Sequence, residues 1–231
     1  MGKYYAVSDL HGQLWAYEEI VKRLEPDDLV YCLGDCIDRG PHGWKIMEEV
    51  FYHPQFIYLK GDHEQLLEEA IKEYLETSLR GYNCFLLKNK EGADTLNAMK
   101  NKTKEELELW LKRLKHLKTE AAYVNKSGQL IWLNHSGHDK LSPTEDDLLR
   151  SGDHFKSPWQ YEDDAFMIHG HIPIVNMKLR MGMPGIHNPA DGAYKYCDGH
   201  KINIDVNACI TGWCVLLDLD TLESETINFL C

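Results

Sequence analysis

Three short apolar runs, each breaking on an aspartate close to glycine, constrain this chain more than any other feature. Tyr4-Tyr5-Ala6-Val7 ends on Ser8-Asp9 with Gly12 close behind, Asp28-Leu29-Val30-Tyr31-Cys32-Leu33 ends on Gly34-Asp35, and Phe56-Ile57-Tyr58-Leu59 runs into Gly61-Asp62. Asp35 follows Asp9 by 26 residues, and Asp62 follows Asp35 by 27. Between the runs, Leu14, Tyr17, Ile20, Val21 and Leu24 recur at helical spacing, as do Trp44, Ile46, Met47, Val50 and Phe51. Strand–helix–strand units of this kind build parallel sheets with right-handed crossovers. Polar residues just past the strand ends then collect along one edge of the sheet, where such folds place their sites. The organisation alone predicts that the three aspartates meet.

Downstream the texture changes twice. From about 65 to 120 the pattern predicts helices, with Thr103-x-x-Glu106 as a capping box and Leu107, Trp110, Leu111, Leu114 and Leu117 as a packing face. This block reads as a helical cap inserted between two halves of a sheet. Beyond it, Ala121-Ala122-Tyr123-Val124 and Leu130-Ile131-Trp132-Leu133 flank Lys126-Ser127-Gly128, a hairpin signal. Further strands are predicted at Phe166-Met167-Ile168, Ile202-Asn203-Ile204-Asp205-Val206, Trp213-Cys214-Val215-Leu216-Leu217 and Glu225-Thr226-Ile227-Asn228-Phe229. The Gly-, Pro- and His-rich stretch 177–201 has little periodicity and reads as a long surface loop. A length of 231 residues suits a single domain, 1–231, carrying that insertion.

Composition excludes several classes. With 37 acidic and 25 basic residues the formal net charge is -12, which disfavours nucleic acid as a partner. A phosphate would have to be held by metal ions or a few placed arginines. Seven cysteines (Cys32, Cys36, Cys84, Cys197, Cys209, Cys214 and Cys231) with no Cys-x-x-Cys pair read as reduced thiols of a cytoplasmic protein. Asp9 comes too early for a signal peptide, Ala6 breaks the myristoylation pattern, and no apolar run spans a membrane. The expectation is a cytoplasmic protein with no membrane partner.

The chemistry-bearing residues extend beyond the three corners. His11 lies two residues after Asp9, His135 ends the strand that holds Leu133, and His171 sits just past Ile168. Asp9, His11, Asp35, Asp62, His135 and His171 form a mixed carboxylate and imidazole donor set, which suits manganese, iron or zinc better than magnesium alone. Asp35, the central carboxylate, is placed to bridge two ions. A lone histidine at a strand end is ordinarily structural; six donors at repeated strand ends are a different matter.

Gly34-Asp35-x-x-Asp38-Arg39-Gly40 together with Gly61-Asp62-His63-Glu64 closely resembles the calcineurin-like metallophosphoesterases. Within them the chain is most similar to serine/threonine protein phosphatases of the compact bacterial and phage type. The resemblance runs from Tyr4 to about Glu225, and Gly170-His171-Ile172-Pro173 matches the family's Gly-His motif. It implies an α/β (α+β) fold: a β-sandwich of two mixed sheets flanked by helices. It also implies two divalent transition-metal ions, manganese first, with iron or zinc as alternatives. Asp9, His11 and Asp35 would hold one, and Asp35, Asp62, His135 and His171 the other. His63 would act as general acid, oriented by Asp38, and Arg39 would grip the phosphoryl group. His169 falls beside the site and not in it, while His42, His138, His154, His187 and His200 receive no role.

The implied activity is phosphomonoester hydrolysis, with a phosphoserine or phosphothreonine protein, or a small phosphoester, as substrate. A second reading is symmetrical hydrolysis of diadenosine tetraphosphate. A third is a catalytically silent scaffold, against which the retention of His63, Asp38 and Arg39 argues. Two departures from the family pattern stand out. Asp62 occupies a place usually held by Asn and adds a third carboxylate. A second phosphate-binding arginine is missing where the register places Gly152, and Arg150, two residues earlier, is the expected substitute.

Overall fold

The computed structural model describes residues 2–229 apart from 78–89, 153, 184 and 186. Cys84, Cys231 and part of the expected helical cap lie outside the described residues. The first segment alternates as its periodicity predicts: β1 (Tyr4–Val7), α1 (Leu14–Arg23), β2 (Leu29–Cys32), α2 (Gly43–Tyr52), β3 (Phe56–Tyr58) and α3 (Asp62–Thr77). A short 3-10 turn (Lys90–Gly92), α4 (Ala93–Lys100) and α5 (Lys104–His116) follow. Then come β4 (Glu120–Val124), β5 (Leu130–Asn134), α6 (Glu145–Arg150), β6 (Phe166–His169) and α7 (Ile174–Arg180). The chain closes with β7 (Tyr194–Tyr196), β8 (Lys201–Asn203), α8 (Ala208–Thr211), β9 (Trp213–Asp218) and β10 (Ser224–Asn228).

The strands form two mixed five-stranded sheets, ordered β10-β9-β1-β2-β3 and β4-β5-β6-β8-β7. In the first, β1, β2 and β3 are parallel and β9 and β10 close the edge antiparallel; in the second, β5, β6 and β8 are parallel. Period-two alternation divides the core. Ala6, Tyr31, Leu33 and Leu59 face Ile131, Leu133, Ile168 and Ile202 across the sandwich. Val7, Val30 and Cys32 point the other way, into a layer built with Ile20, Trp44, Met47, Leu67 and Trp110. A smaller cluster of Phe155, Met177 and Tyr196 covers the outer face of the second sheet.

Thr103 and Glu106 form the capping box of α5 reciprocally, and Leu107, Trp110 and Leu114 are buried on its inner face. Trp110 stacks edge-on against both Trp44 and Phe51, so this helix continues the flanking layer of the first sheet. The helical segment joins β3 of one sheet to β4 of the other, which differs from an insertion between two halves of one sheet. The stretch 177–201 also differs from a simple loop: it holds the end of α7, a 3-10 turn at Pro189–Asp191 and the edge strand β7. Three residues of strand, with only Tyr196 of β7 buried, are too few to leave a periodic signal.

Candidate metal centre and active site

Six strand ends deliver the site. Asp9 follows β1, Asp35 follows β2, Asp62 opens α3 just after β3, His135 follows β5, His171 follows β6 and Asp205 follows β8. The loops are bonded to one another: Asp9 N–H donates to Gly34 O (3.1 Å), His11 N–H to Asp35 O (2.9 Å) and Gly170 N–H to His135 O (2.8 Å). Backbone strain concentrates here. Of the ten non-glycine residues with positive φ among the described residues, six are Asp9, His11, Asp35, Asp38, Arg39 and His171. Each such residue costs of order 1–3 kcal/mol and persists only where its surroundings impose it. Gly61 and Gly170 permit the close approach: a Cβ would collide with Asp35 Oδ1 at the first and with Asp9 Oδ2 at the second.

The expected ligands converge. Asp62 Oδ1 lies 3.2 Å from His135 Nε2 and 3.2 Å from His171 Nδ1, and Asp35 Oδ1 lies 3.4 Å from His135 Nε2. One donor atom from each of Asp35, Asp62, His135 and His171 falls within 4.8 Å of the others. The second oxygen of Asp35 turns to the other side, 3.5 Å from His11 Nε2, which is itself 3.8 Å from Asp9 Oδ1. A second group within 4.8 Å joins His11, Asp35 and His63. Asp35 thus faces both clusters.

The donor set passes a direct test for cations. Asp9 Oδ1, His11 Nε2 and Asp35 Oδ2 are buried and have no hydrogen-bond partner among the described residues. An unpaired buried carboxylate oxygen is costly, and a positive ion is the natural relief. The imidazoles are pre-set for it: His11 Nδ1–H donates to Ile37 O (2.8 Å) and His135 Nδ1–H to Leu33 O (2.9 Å), which turns both Nε2 atoms toward the carboxylates. Burial lowers His11 below its ordinary pKa, keeping it neutral as ligation requires. Burial also pushes His135 down, but Asp35 and Asp62 outweigh it and hold it well above 6.5. The same pairing works in reverse on Asp35: burial pushes it up, yet His135, His63 and His11 hold it well below the carboxylate range. The pocket demands positive charge.

The acid–base pair lies beside it. His63 Nδ1 is 2.6 Å from Asp38 Oδ2, and Arg39 Nη2 is 3.4 Å from His63 Nε2. Burial favours neutral His63, but Asp35 and the Asp38 hydrogen bond outweigh it and raise its pKa to about 9. A cation bound at Asp35 would cancel part of that lift, leaving Asp38 as the steadier influence. Nδ1–H donates to Asp38, so the Nε2 proton is the one available for transfer.

The sequence of Gly61-Asp62-His63-Glu64 shows its last member but not its use. Glu64 is fully buried, and its carboxylate accepts from the amides of Asp35 (2.7 Å), Gly61 (2.9 Å) and Cys36 (3.0 Å). It staples the Asp35 loop to the start of α3. A glutamate in the first turn of a helix beside a glycine corner is the signal that could have found it. Asp205 is a second addition: buried beside Asp9, it accepts from Asn207 N–H (2.7 Å), and burial with Asp9 repulsion raises its pKa well above 3.8. Arg150 is not brought into the cluster. It ends α6 and pairs with Asp146 (3.2 Å), while Arg180 donates to Gly152 O (3.3 Å). His169 turns outward, with Nε2 2.7 Å from the Tyr196 hydroxyl.

The sequence profile of the calcineurin-like phosphoesterases matches residues 2–208. The chain belongs to that family. It is therefore a member of a hydrolase family whose sites use divalent metal ions. No curated protein matches it. Among solved structures it is similar to a candidate diadenosine tetraphosphatase (13% identity, 98% of this chain and 93% of that one, TM-score 0.63). It is also similar to a metallophosphoesterase from Sphaerobacter thermophilus (17% identity, 98% and 87%, TM-score 0.57). A third is a Saccharomyces cerevisiae protein serine/threonine phosphatase (13% identity, 98% and 80%, TM-score 0.52). At these identities the likeness is one of fold. No helix among the described residues is long and apolar enough to cross a membrane.

Proposed function

We propose that this metallophosphoesterase hydrolyses phosphomonoesters and that its substrates are phosphoserine or phosphothreonine proteins. The observation that carries the reading is the buried, unpartnered trio Asp9 Oδ1, His11 Nε2 and Asp35 Oδ2 beside a histidine–aspartate pair. Asp9, His11 and Asp35 hold one cation, and Asp35, Asp62, His135 and His171 hold the other. The carboxylate and imidazole donors suit manganese, with iron or zinc as alternatives. Two such ions supply positive charge for the phosphoryl oxygens and acidify water at neutral pH.

The chain's own groups do the rest. Arg39 presents its guanidinium to the phosphoryl oxygens, and the planar fork can take two of them. As water bonds to phosphorus and the phosphorus–oxygen bond to the leaving group breaks, His63 gives up its Nε2 proton to the departing oxygen and becomes neutral. Asp38 keeps the Nδ1 proton in place throughout, fixing ring and tautomer. Arg150, paired to Asp146, has no part in this account. Cleavage of diadenosine tetraphosphate is the second reading, favoured by similarity to the candidate diadenosine tetraphosphatase.

A manganese-supplemented panel of a phosphothreonine peptide, an aryl phosphate and diadenosine tetraphosphate tests the proposal. Metal-dependent hydrolysis of the peptide and the aryl phosphate is expected. Cleavage confined to the dinucleotide would replace the proposal with the second reading. No hydrolysis of any member, with metal bound, would leave a scaffold.

A further inference from the structure

Asp205 stands just past β8, at the last of the six strand ends, and one oxygen of its side chain has no evident use. The residue is 2% exposed, and three bonds fix it. Its N–H donates to Asn203 Oδ1 (2.8 Å), its carbonyl accepts from Ile174 N–H (2.9 Å), and its Oδ1 accepts from Asn207 N–H (2.7 Å). Asn207, which makes the last of these bonds, is held at a φ of 64°. Oδ2 has no partner among the described residues. The bond to Asn207 accounts for an oxygen at this position and not for a charge. An asparagine would accept the same N–H and bury no anion, so the carboxylate needs another reason.

The segment that holds Asp205 also holds Asp9. His171 N–H donates to Asp9 Oδ2 (3.0 Å), Asn203 Nδ2 donates to Ile172 O (2.8 Å), and Ile174 N–H closes on Asp205 O. Residues 171–174 thus tie the end of β8 to the corner after β1. Burial, then repulsion from Asp9, push the Asp205 carboxyl well above 3.8, so Asp9 is the charge it feels most. Asp205 Oδ2 joins Asp9 Oδ1, His11 Nε2 and Asp35 Oδ2 as buried polar atoms without a partner. The two cation positions are unequal. Asp35, Asp62, His135 and His171 give one of them four donors, whereas Asp9, His11 and Asp35 give the other three. Asp205 stands on the poorer side. His11 Nε2 has oxygens of Asp35 and Asp9 at 3.5 and 3.8 Å and none of Asp205, which sets Asp205 behind the direct donors.

We propose that Asp205 is a positioning residue of the cation site formed by Asp9, His11 and Asp35: its Oδ2 accepts a hydrogen bond from water on that cation, and its charge strengthens binding there. The inference rests on the two-cation reading of the site and adds a residue to its poorer half.

The test is calorimetric titration of metal-stripped protein with manganese, wild type against Asp205→Asn. Asparagine keeps the acceptor for Asn207 N–H, so a merely structural role predicts no change in metal binding. The variant should weaken one of the two manganese-binding steps by about tenfold or more and leave the other alone. The weakened step should be the one that His11→Gln abolishes. Melting temperatures give a second readout. Without metal the variant should melt no lower than wild type, and with manganese it should gain less than wild type gains. Equal affinities in the two proteins, or a loss confined to the step that His171→Gln abolishes, would overturn the proposal. Wild-type protein that binds no manganese would instead sink the two-cation reading, and this proposal with it. If the asparagine variant does not fold, Asp205→Ser, which is smaller and keeps a hydroxyl, is judged by the same titration and the same outcomes.

Discussion

Histidines lie on both sides of the end of β6, and the neighbours of the buried ones, not burial itself, separate the two sides. His171 and His135 face Asp62 and Asp35, whose charges hold His135 well above its ordinary pKa despite burial. Two residues before His171, His169 turns to the other face and packs near His154 and Tyr196. There burial dominates, aided by Lys201: His154 is pushed down to about 2 and His169 to about 3. One cluster calls for cations and the other excludes even a proton. Burial alone makes a histidine inert; burial with carboxylates makes it a ligand.

The sharpest way to break this contrast is to remove the shared carboxylate. Asp35→Asn should lower aryl phosphate turnover by about 1,000-fold or more, since it weakens both cation positions at once; steady-state kinetics in manganese checks this. His63→Asn should cost about 100-fold on alkyl phosphates, while an aryl phosphate with a good leaving group suffers less. Equal losses on both would remove His63 from the general-acid role. Asp62→Asn should weaken metal binding by about tenfold and lower the substrate KM, because it withdraws one negative charge beside the phosphoryl site. Metal titration alongside kinetics reads both effects.

A smaller effect is expected from protonation. In metal-stripped protein His63 has a folded pKa of about 9 against 6.5, so it binds its proton more tightly when folded. Its stabilisation is fully present below about pH 6.5 and is lost as pH rises through 9. The melting temperature of wild type relative to His63→Asn should therefore decline across that window. Smallest is the control on the inert side. His169→Phe removes the hydrogen bond to Tyr196, which costs about 1–2 kcal/mol, or a few degrees of melting temperature. Metal content and kcat should not change.

The same contrast shows what a sequence reveals. Asp35-x-x-Asp38-Arg39 was legible because motif and strand-end position agree, and the parallel β1–β3 order makes that agreement spatial. The two mixed sheets were legible from their runs and from the family resemblance. Glu64 stood in plain view within a motif, but its three backbone amides belong to loops that only folding brings to it. Thr95 and Glu91 reach Asp38 and Arg39 across more than 50 residues of chain, a contact with no local signal. Arg150 was chosen by counting register along the chain; in the fold a capping box at Thr144 fixes α6, and Arg150 pairs with Asp146 one turn back.

The central claim is that the carboxylate-bound cluster holds two cations and needs them for hydrolysis. Equilibrium titration of metal-stripped protein with manganese, read by calorimetry and by aryl phosphate turnover on the same samples, tests it directly. Two ions bound per chain are predicted, with activity rising as the second site fills and Asp35→Asn abolishing that stoichiometry. Full activity without added metal in chelator, or unchanged binding in Asp35→Asn, would contradict it.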